Sequence, residues 1–236
     1  MSQPLVASSF LFRFAVPCFR LTSAGTVAGV ELDEAYRIPS FQELDGKSRF
    51  ADLRLGWAPE GLAFWLEVTG KRRQAWCRTT RLADSDGLHL WIDTRDTHTV
   101  HRATRFCHRF AFLPFGGAPS GHDPVAQWCP IDRAREHPKP ISRNALQVQS
   151  QSLSDGYRLA GFLPATALTG YDPDEQPRLG FFYTVVDAEQ GLQAFSLGPE
   201  FPIADDPSVW GTLELVPRIT RGGKHPDTGF LTEPKK

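Results

Sequence analysis

The stretch Asp86-Gly-Leu-His-Leu-Trp-Ile-Asp93 decides the fold class of this chain. Leucine or isoleucine stands at every second position from 88 to 92, and His89, Trp91 and Asp93 fill the positions between them. Alternation with a period of two is typical of a β-strand that buries one face and leaves the other more polar. The stretch therefore predicts a strand, and the charged residues that follow it predict a turn.

Similar runs recur along the whole chain. Alternating apolar residues around short turns predict two β-hairpins, over 51–68 and 145–163. Further strands are predicted over 10–16, 19–22, 104–113, 179–186 and 210–216, with one helical turn over 164–168. About ten short strands without an amphipathic helix indicate an all-β, antiparallel β-sandwich.

Residues 114–143 break this pattern. Six prolines interrupt every candidate element there, namely Pro114, Pro119, Pro124, Pro130, Pro138 and Pro140. We therefore predict a long Pro-rich insertion loop, and loops of such length are often functional. Residues 1–216 are expected to form a single domain, which a chain of 236 residues permits, and residues 217–236 a flexible tail.

The composition is that of a globular chain with almost no net charge. The formal net charge is −1, so neither nucleic acid nor an anionic membrane is expected as a partner. Nine Lys and Arg against four acidic residues over 71–110 fit either a basic groove for an anionic ligand or a solvated face that the acidic segment 171–216 offsets. No apolar run reaches the ~18 residues of a membrane span.

The amino terminus and the cysteines bear on location. Arg13 interrupts the one apolar run near the amino terminus, so no secretory leader is recognised. The four cysteines show no tight spacing, and free buried thiols are expected. The chain as written is predicted to be cytoplasmic, and extracytoplasmic if a leader has been removed.

Five motifs stand in an order that is typical of one family. Segment 53–68 is similar to a strand, acidic turn and strand ending in LYVxxxV, and 86–93 to a DSVEIFID strand. Segments 156–164, 179–187 and 206–216 are similar to GYxxEAAIP, IGFNIxVxD and DPSxFGxLxL. Over about residues 45–216 the chain thus resembles a family 9 carbohydrate-binding module, of the DOMON-like superfamily. The resemblance implies a jelly-roll-like β-sandwich that commonly binds saccharides, often carries structural calcium and in some branches holds haem.

The chain departs from this family at the sugar site. Sugar-binding members clamp a saccharide between two tryptophans, one before the DSVEIFID strand and one before the closing DPS. Leu82 and Ala83 stand at the first place here, and Ala204 and Asp205 at the second, so both stacking platforms are expected to be missing. Relatives bind haem through Met and His, which is excluded here because Met1 is the only methionine.

Aromatic and basic residues supply the candidate ligand contacts. Trp65 and Trp91 lie on the less apolar faces of their strands, so they either line a concave ligand site or pack beneath a covering segment. Trp76 and Phe201 are candidates to replace the missing clamp tryptophans. The predicted ligand contacts are Trp65, Trp76, Trp91, Arg105 and His108.

His98, His101, Cys107 and His108 form the densest group of metal-ligating side chains. Imidazole and thiolate suit zinc. Cys107 and His108 would point to opposite faces of one strand, so the candidate zinc ligands are His98, His101 and His108. The alternative is that these histidines hydrogen-bond within a polar cleft beside the arginines at 102, 105 and 109.

Two acidic turns are candidate calcium sites. Asp93 and Asp96 follow the strand over 86–93, and Asp172 and Asp174 lie in a second turn. Calcium prefers carboxylate and carbonyl oxygens of this kind. The alternative is a polar turn in which the carboxylates accept hydrogen bonds from the backbone.

No catalytic signature is present: the sequence has no G-x-S-x-G, H-E-x-x-H or G-x-G-x-x-G motif. We therefore predict a non-catalytic ligand-binding β-sandwich whose partner is a saccharide. Two other hypotheses stay open at this point. One is a metal-binding protein or metal-dependent enzyme that uses the three histidines, and the other is a module that binds a protein partner through the Pro-rich loop.

Overall fold

The computed structural model describes residues 8–22, 31–117, 120–142 and 144–217. Within these residues the protein is all-β. The strands are β1 Ala15–Arg20, β2 Arg37–Ile38, β3 Ala51–Ala58, β4 Gly61–Val68, β5 Gly87–Asp93, β6 Cys107–Gly117, β7 Asp123–Cys129, β8 Gln147–Leu153, β9 Gly156–Pro164, β10 Arg178–Asp187, β11 Gly191–Ala194 and β12 Gly211–Val216. Short 3-10 helices span Ser8–Leu11, Glu34–Tyr36, Phe41–Asp45, Thr79–Asp84, Ala165–Ala167 and Pro207–Val209. None of the described helices is long and apolar enough to cross a membrane.

The strands form one hydrogen-bonded path in the order β7-β6-β5-β10-β12-β1-β3-β4-β9-β8, with β11 added to β10 and β2 to β3. Strands β7 and β8, at the two ends of the path, lie next to each other, so the sheet is nearly closed. Strand β1 lies between β12 and β3 in this path, so it joins the half from β7 to β12 to the half from β3 to β8. It pairs in parallel with both neighbours. The prediction of a wholly antiparallel sheet is therefore wrong at β1.

Both predicted hairpins are confirmed. Strands β3 and β4 pair along their whole length around Pro59 and Glu60, and strands β8 and β9 pair in the same way around Ser154 and Asp155. The alternating apolar side chains of the first hairpin point into the core. There the Phe64 ring lies 4.5 Å, between centroids, from the ring of Phe112 on β6. Contacts of this kind hold the two halves of the sheet together.

Strand β5 is buried on both faces, whereas the alternation over 86–93 predicted one buried face. Its inner side chains, Leu88, Leu90 and Ile92, lie in the core. On the outer face His89 is 1% exposed and Trp91 3% exposed. The reason is that a segment over 199–204, after β11, lies against this outer face.

The predicted insertion loop over 114–143 is wrong in its first half. Strand β6 continues to Gly117, and β7 pairs with it. The pairing register shifts between Leu113 and Gly117, and such an irregularity accommodates Pro114 within the strand. Pro124 is tolerated because β7 is an edge strand. Residues 130–142 do form a connection without strands.

Other boundaries also differ from the predicted ones. The strands predicted over 10–16 and 19–22 are a single strand, β1, which a 3-10 helix precedes, and the strand predicted to start at 104 begins at Cys107. The predicted helical turn over 164–168 is confirmed as a 3-10 helix. Of the predicted tail, residues 218–236 lie outside the described residues.

Candidate functional site

A pocket of about 230 Å³ opens on the outer face of β5, β6 and β10. The strands supply its floor, and the segments before β5 and after β11 supply its walls. The lining residues are Ala83, His89, Trp91, Arg109, Thr184, Val186, Leu192, Pro199, Phe201, Pro202, Ile203 and Ala204.

Strand register brings the polar lining residues together. Trp91 pairs directly with Arg109 of β6, and His89 pairs with Thr184 of β10. Side chains of directly paired residues lie on the same face of a sheet. The Arg109 guanidinium accordingly sits over the Trp91 indole, 5.1 Å from its centroid. The His89 ring lies 6.0 Å from the same indole.

The floor contains buried polar atoms that have no hydrogen-bond partner within the protein. They are Trp91 Nε1, Arg109 Nε and both ring nitrogens of His89. Native proteins satisfy almost all buried polar groups, and each one left unpaired costs about 1–3 kcal/mol. A floor with several such atoms can form hydrogen bonds with a polar ligand that enters the pocket.

His89 is a neutral side chain. Burial, and to a smaller extent the positive charge of Arg109, lower its pKa to about 3, although the Leu82 carbonyl nearby partly offsets both effects. A neutral imidazole carries one N–H donor and one acceptor nitrogen. Among the lining residues Arg109 therefore carries the charge of the pocket, and no acidic residue is one of them.

Two larger grooves of the described structure lack this feature. One, of about 750 Å³, lies where β6 and β7 approach β8. The other, of about 550 Å³, is lined by residues 10–14 and by parts of the β11–β12 connection. Neither groove is lined by a buried polar atom without a partner. The smaller pocket on β5 is thus the better candidate for specific recognition of a polar ligand.

No protein-family model matches the chain, and no curated protein matches it. Solved structures do match. A family 9 carbohydrate-binding module from Caldicellulosiruptor kristjanssonii in complex with cellotriose is 12% identical, with a TM-score of 0.56, and the match covers 94% of this chain and 100% of that one. A complex of such a module with glucose is 13% identical, with a TM-score of 0.58, over 90% and 100% of the two chains.

The chain has the fold of a family 9 carbohydrate-binding module. The resemblance drawn from the five motifs is confirmed at this level. Sequence identity of 12% to 13% to these structures supports a shared fold alone. The ligand therefore has to be argued from the pocket itself.

One residue from each neighbourhood in which the resemblance expects a clamp tryptophan lines the pocket. Ala83 and Ala204 line it from its two walls. Phe201 lines it as well, whereas Trp76 is not among the lining residues. Trp76 is instead flanked by the guanidinium groups of Arg78 and Arg81.

Of the five predicted ligand contacts, the structure places only Trp91 in the pocket. Trp65 packs on the outer face of β4 against Leu32 and Tyr36, with Arg54 over its ring. That environment matches the alternative in which a covering segment buries the tryptophan, and the segment is 31–36. Arg105 is exposed beside Phe106.

His108 lies in the core and not in the pocket. Its ring stacks on Phe110, with centroids 6.0 Å apart, and is fully buried. Burial lowers its pKa to about 4, although the Thr169 carbonyl nearby partly offsets this. Cys107 and His108 point to opposite faces of β6, as the strand pattern predicted.

The three candidate zinc ligands lie in three different environments. His98 Nε2 lies 2.9 Å from Asp96 Oδ1 and 3.1 Å from Thr212 Oγ1. His101 is exposed, and its Nδ1 lies 3.1 Å from Asp206 Oδ2. With His108 in the core, the structure does not bring the three imidazoles together. Among the described residues no group of three or more His, Cys, Asp or Glu side chains is arranged to hold a metal ion.

Two of the four candidate calcium ligands, Asp93 and Asp172, accept hydrogen bonds from the backbone of their own turns. Asp93 accepts hydrogen bonds from the N–H groups of Arg95 and Thr97, at 3.0 and 2.7 Å. Asp172 accepts from Asp174 N and Glu175 N, both at 3.2 Å. This is the geometry of the polar-turn alternative. Asp96, with φ of 49°, accepts from Arg178 and Thr212. Calcium binding at these turns stays a prediction.

Sequence reasoning gave Arg109 and His89 no separate role. Arg109 was one of several arginines near the histidines, and His89 one polar residue of a strand face. The signal that singles them out is the register of β5 against β6 and β10, which no pattern within one strand encodes. Thr184 was missed for the same reason.

Proposed function

We propose that this protein is a non-catalytic, saccharide-binding β-sandwich of the DOMON-like kind, and that the pocket on β5, β6 and β10 is its binding site. The observation that carries the proposal is the group of unpartnered polar atoms on Trp91, Arg109 and His89 in a pocket with apolar walls. Ligand sites typically combine mostly apolar walls with a few convergent polar groups.

The chemistry of the pocket suits a sugar ring. Hydroxyl groups both donate and accept hydrogen bonds. They can therefore accept from the N–H groups of Trp91 and Arg109 and donate to the acceptor nitrogen of His89. Phe201 and Ile203 supply apolar surface for the carbon face of a ring. The volume, about 230 Å³, lies below the ~300 Å³ at which pockets for drug-sized ligands begin, so we expect a single ring to enter.

The same pocket argues against catalysis. General acid–base catalysis needs a group whose pKa lies near the working pH. The pKa of His89 is lowered to about 3 by burial and by Arg109, and none of the lining residues is a carboxylate. The arrangement can hold a ligand, but it offers no proton donor and base around a scissile bond.

Calorimetric titration of the purified chain with monosaccharides and disaccharides tests the proposal. We expect saturable binding, which Trp91→Phe weakens roughly 5- to 10-fold because it removes the indole N–H and keeps an aromatic ring. Trp76→Phe is the matched control, since Trp76 lies outside the pocket, and it should leave affinity unchanged. Absence of binding to every sugar would contradict the proposal, as would equal losses from the two substitutions.

A further inference from the structure

We infer that the pocket selects an acidic sugar, with Arg109 binding the carboxylate of the ligand. This inference rests on the proposed function and names the ligand class of the same site. It begins with the donors and acceptors that line the pocket. Trp91 Nε1 and Arg109 Nε can only donate, and neutral His89 contributes one donor and one acceptor. A site so rich in donors favours a ligand rich in acceptors.

The charge of the lining residues also favours an acidic ligand. Within the described part of the chain, the side chain of Arg109 makes no ion pair and no hydrogen bond, and the lining contains no carboxylate. His89 lies on the same face of β5 as Trp91, which pairs with Arg109, and its neutral imidazole gives the guanidinium no counter-ion. A ligand carboxylate would supply it.

The guanidinium is held ready for such a ligand. It rests on the Trp91 indole at 5.1 Å, and its Nε is buried. A planar guanidinium binds a carboxylate through two parallel hydrogen bonds, and stacking on an aromatic ring limits its rotation before binding. One fixed positive charge matches the single negative charge of a uronate better than the two charges of a phosphate ester.

Calorimetry with matched pairs of ligands tests this inference. We would titrate the full chain at pH 7 with glucose and glucuronate, galactose and galacturonate, glucose 6-phosphate, and acetate. Charge-assisted hydrogen bonds contribute about 1.5–3 kcal/mol, so each uronate should bind about 10- to 100-fold more tightly than its neutral partner. Acetate and the phosphate ester should bind more weakly than the uronates.

Arg109→Gln should remove the preference for uronate over neutral sugar and leave the thermal midpoint within a few degrees. Arg72→Gln is the matched control, because it removes the same charge at an exposed position outside the pocket and should leave the preference intact. Equal binding of uronate and neutral sugar would overturn the inference and leave the proposed function standing. Tighter binding of acetate or of the phosphate ester would overturn it as well. Absence of binding to all sugars would overturn both.

Discussion

Strands β5 and β10 adjoin two groups of buried polar side chains that are satisfied in opposite ways. One is the candidate binding pocket on their outer face. The other is a buried ion cluster, which we define as Lys71, Asp86 and Asp187. Lys71 is 6% exposed, and Asp86 and Asp187 are 0% and 2% exposed. In the cluster every charge has a partner within the protein, whereas in the pocket several polar atoms have none.

The ion cluster is satisfied by side chains and backbone together. Lys71 Nζ lies 2.9 Å from Asp86 Oδ2 and also donates to Asp187 Oδ2. The carboxylates accept further hydrogen bonds from the backbone N–H groups of Trp76, Ala188, Glu189 and Gln190. Burial alone would lower the pKa of Lys71, but the hydrogen bonds and charges of Asp187 and Asp86 outweigh it and raise that pKa.

The comparison shows that buried polar groups can have two different roles, in stability and in ligand binding. Satisfied groups tie segments together, and here the cluster connects the residues around 71 to one end of β5 and β10. Unsatisfied groups keep hydrogen-bonding capacity for a ligand at the expense of stability. Changes in the cluster should therefore alter folding, and changes in the pocket should alter binding.

Lys71→Met should have the largest effect on stability. It leaves two carboxylates buried without their cation, and breaking a buried ion pair from one side typically costs about 3–5 kcal/mol. Urea denaturation measures the loss. Lys139→Met, at an exposed position, is the control and should change the free energy of unfolding by less than about 0.5 kcal/mol. A loss below about 1 kcal/mol in Lys71→Met would break the contrast between cluster and pocket.

Acid should destabilise the protein through His89 and His108, which are the two buried histidines of the described residues. Burial lowers the pKa of His89 to about 3 and that of His108 to about 4, against about 6.5 in the unfolded chain. Between these values the unfolded chain binds more protons than the folded one, so stability falls as pH falls below about 6.5. Each histidine contributes a slope of up to about 1.4 kcal/mol per pH unit.

Urea denaturation between pH 7.5 and 5 measures this slope. His108→Phe replaces an imidazole that already stacks on Phe110, and it should remove the share of the slope that is due to His108. His122→Gln, at an exposed position, should leave the slope intact. If the wild-type chain and the His108 variant show the same slope, then His108 is not held neutral in the folded state.

Local sequence patterns predicted most of the strands. The predictions failed where residues distant in sequence determine whether a segment is a strand or whether its face is buried. The hairpin over 51–68 follows from alternation and one turn, so sequence alone located it. Pro114 and Pro124 argued for a loop, but a register shift and an edge position admit them to strands. Burial of the outer face of β5 depends on the distant segment 199–204. The alternation of residues within a single strand cannot show that a distant segment covers one of its faces.

In the candidate site, too, some features could be predicted from local sequence and others could not. The positions of Ala83 and Ala204 could be read from the order of motifs, and both lie at the pocket. The pairing of Arg109 with Trp91 could not, because it depends on the register between two strands. Likewise, His98, His101 and His108 are near in sequence, yet a turn, an exposed connection and a core strand separate them in space.

Ala83→Trp should have the smallest effect, and it acts on the pocket side of the comparison alone. Ala83 is exposed at the wall of the pocket, so an indole there should cost little stability and should offer a stacking surface to a sugar ring. Aromatic stacking contributes about 0.5–1.5 kcal/mol, which predicts a roughly 2- to 10-fold gain in affinity for neutral sugars in calorimetry. Thr80→Trp, on the other side of the kink at Arg81 and outside the pocket, should give no gain. Weaker binding by the Ala83 variant would mean that the ligand needs this wall to stay open, and an unchanged affinity would mean that the sugar ring lies against the opposite wall, beside Phe201.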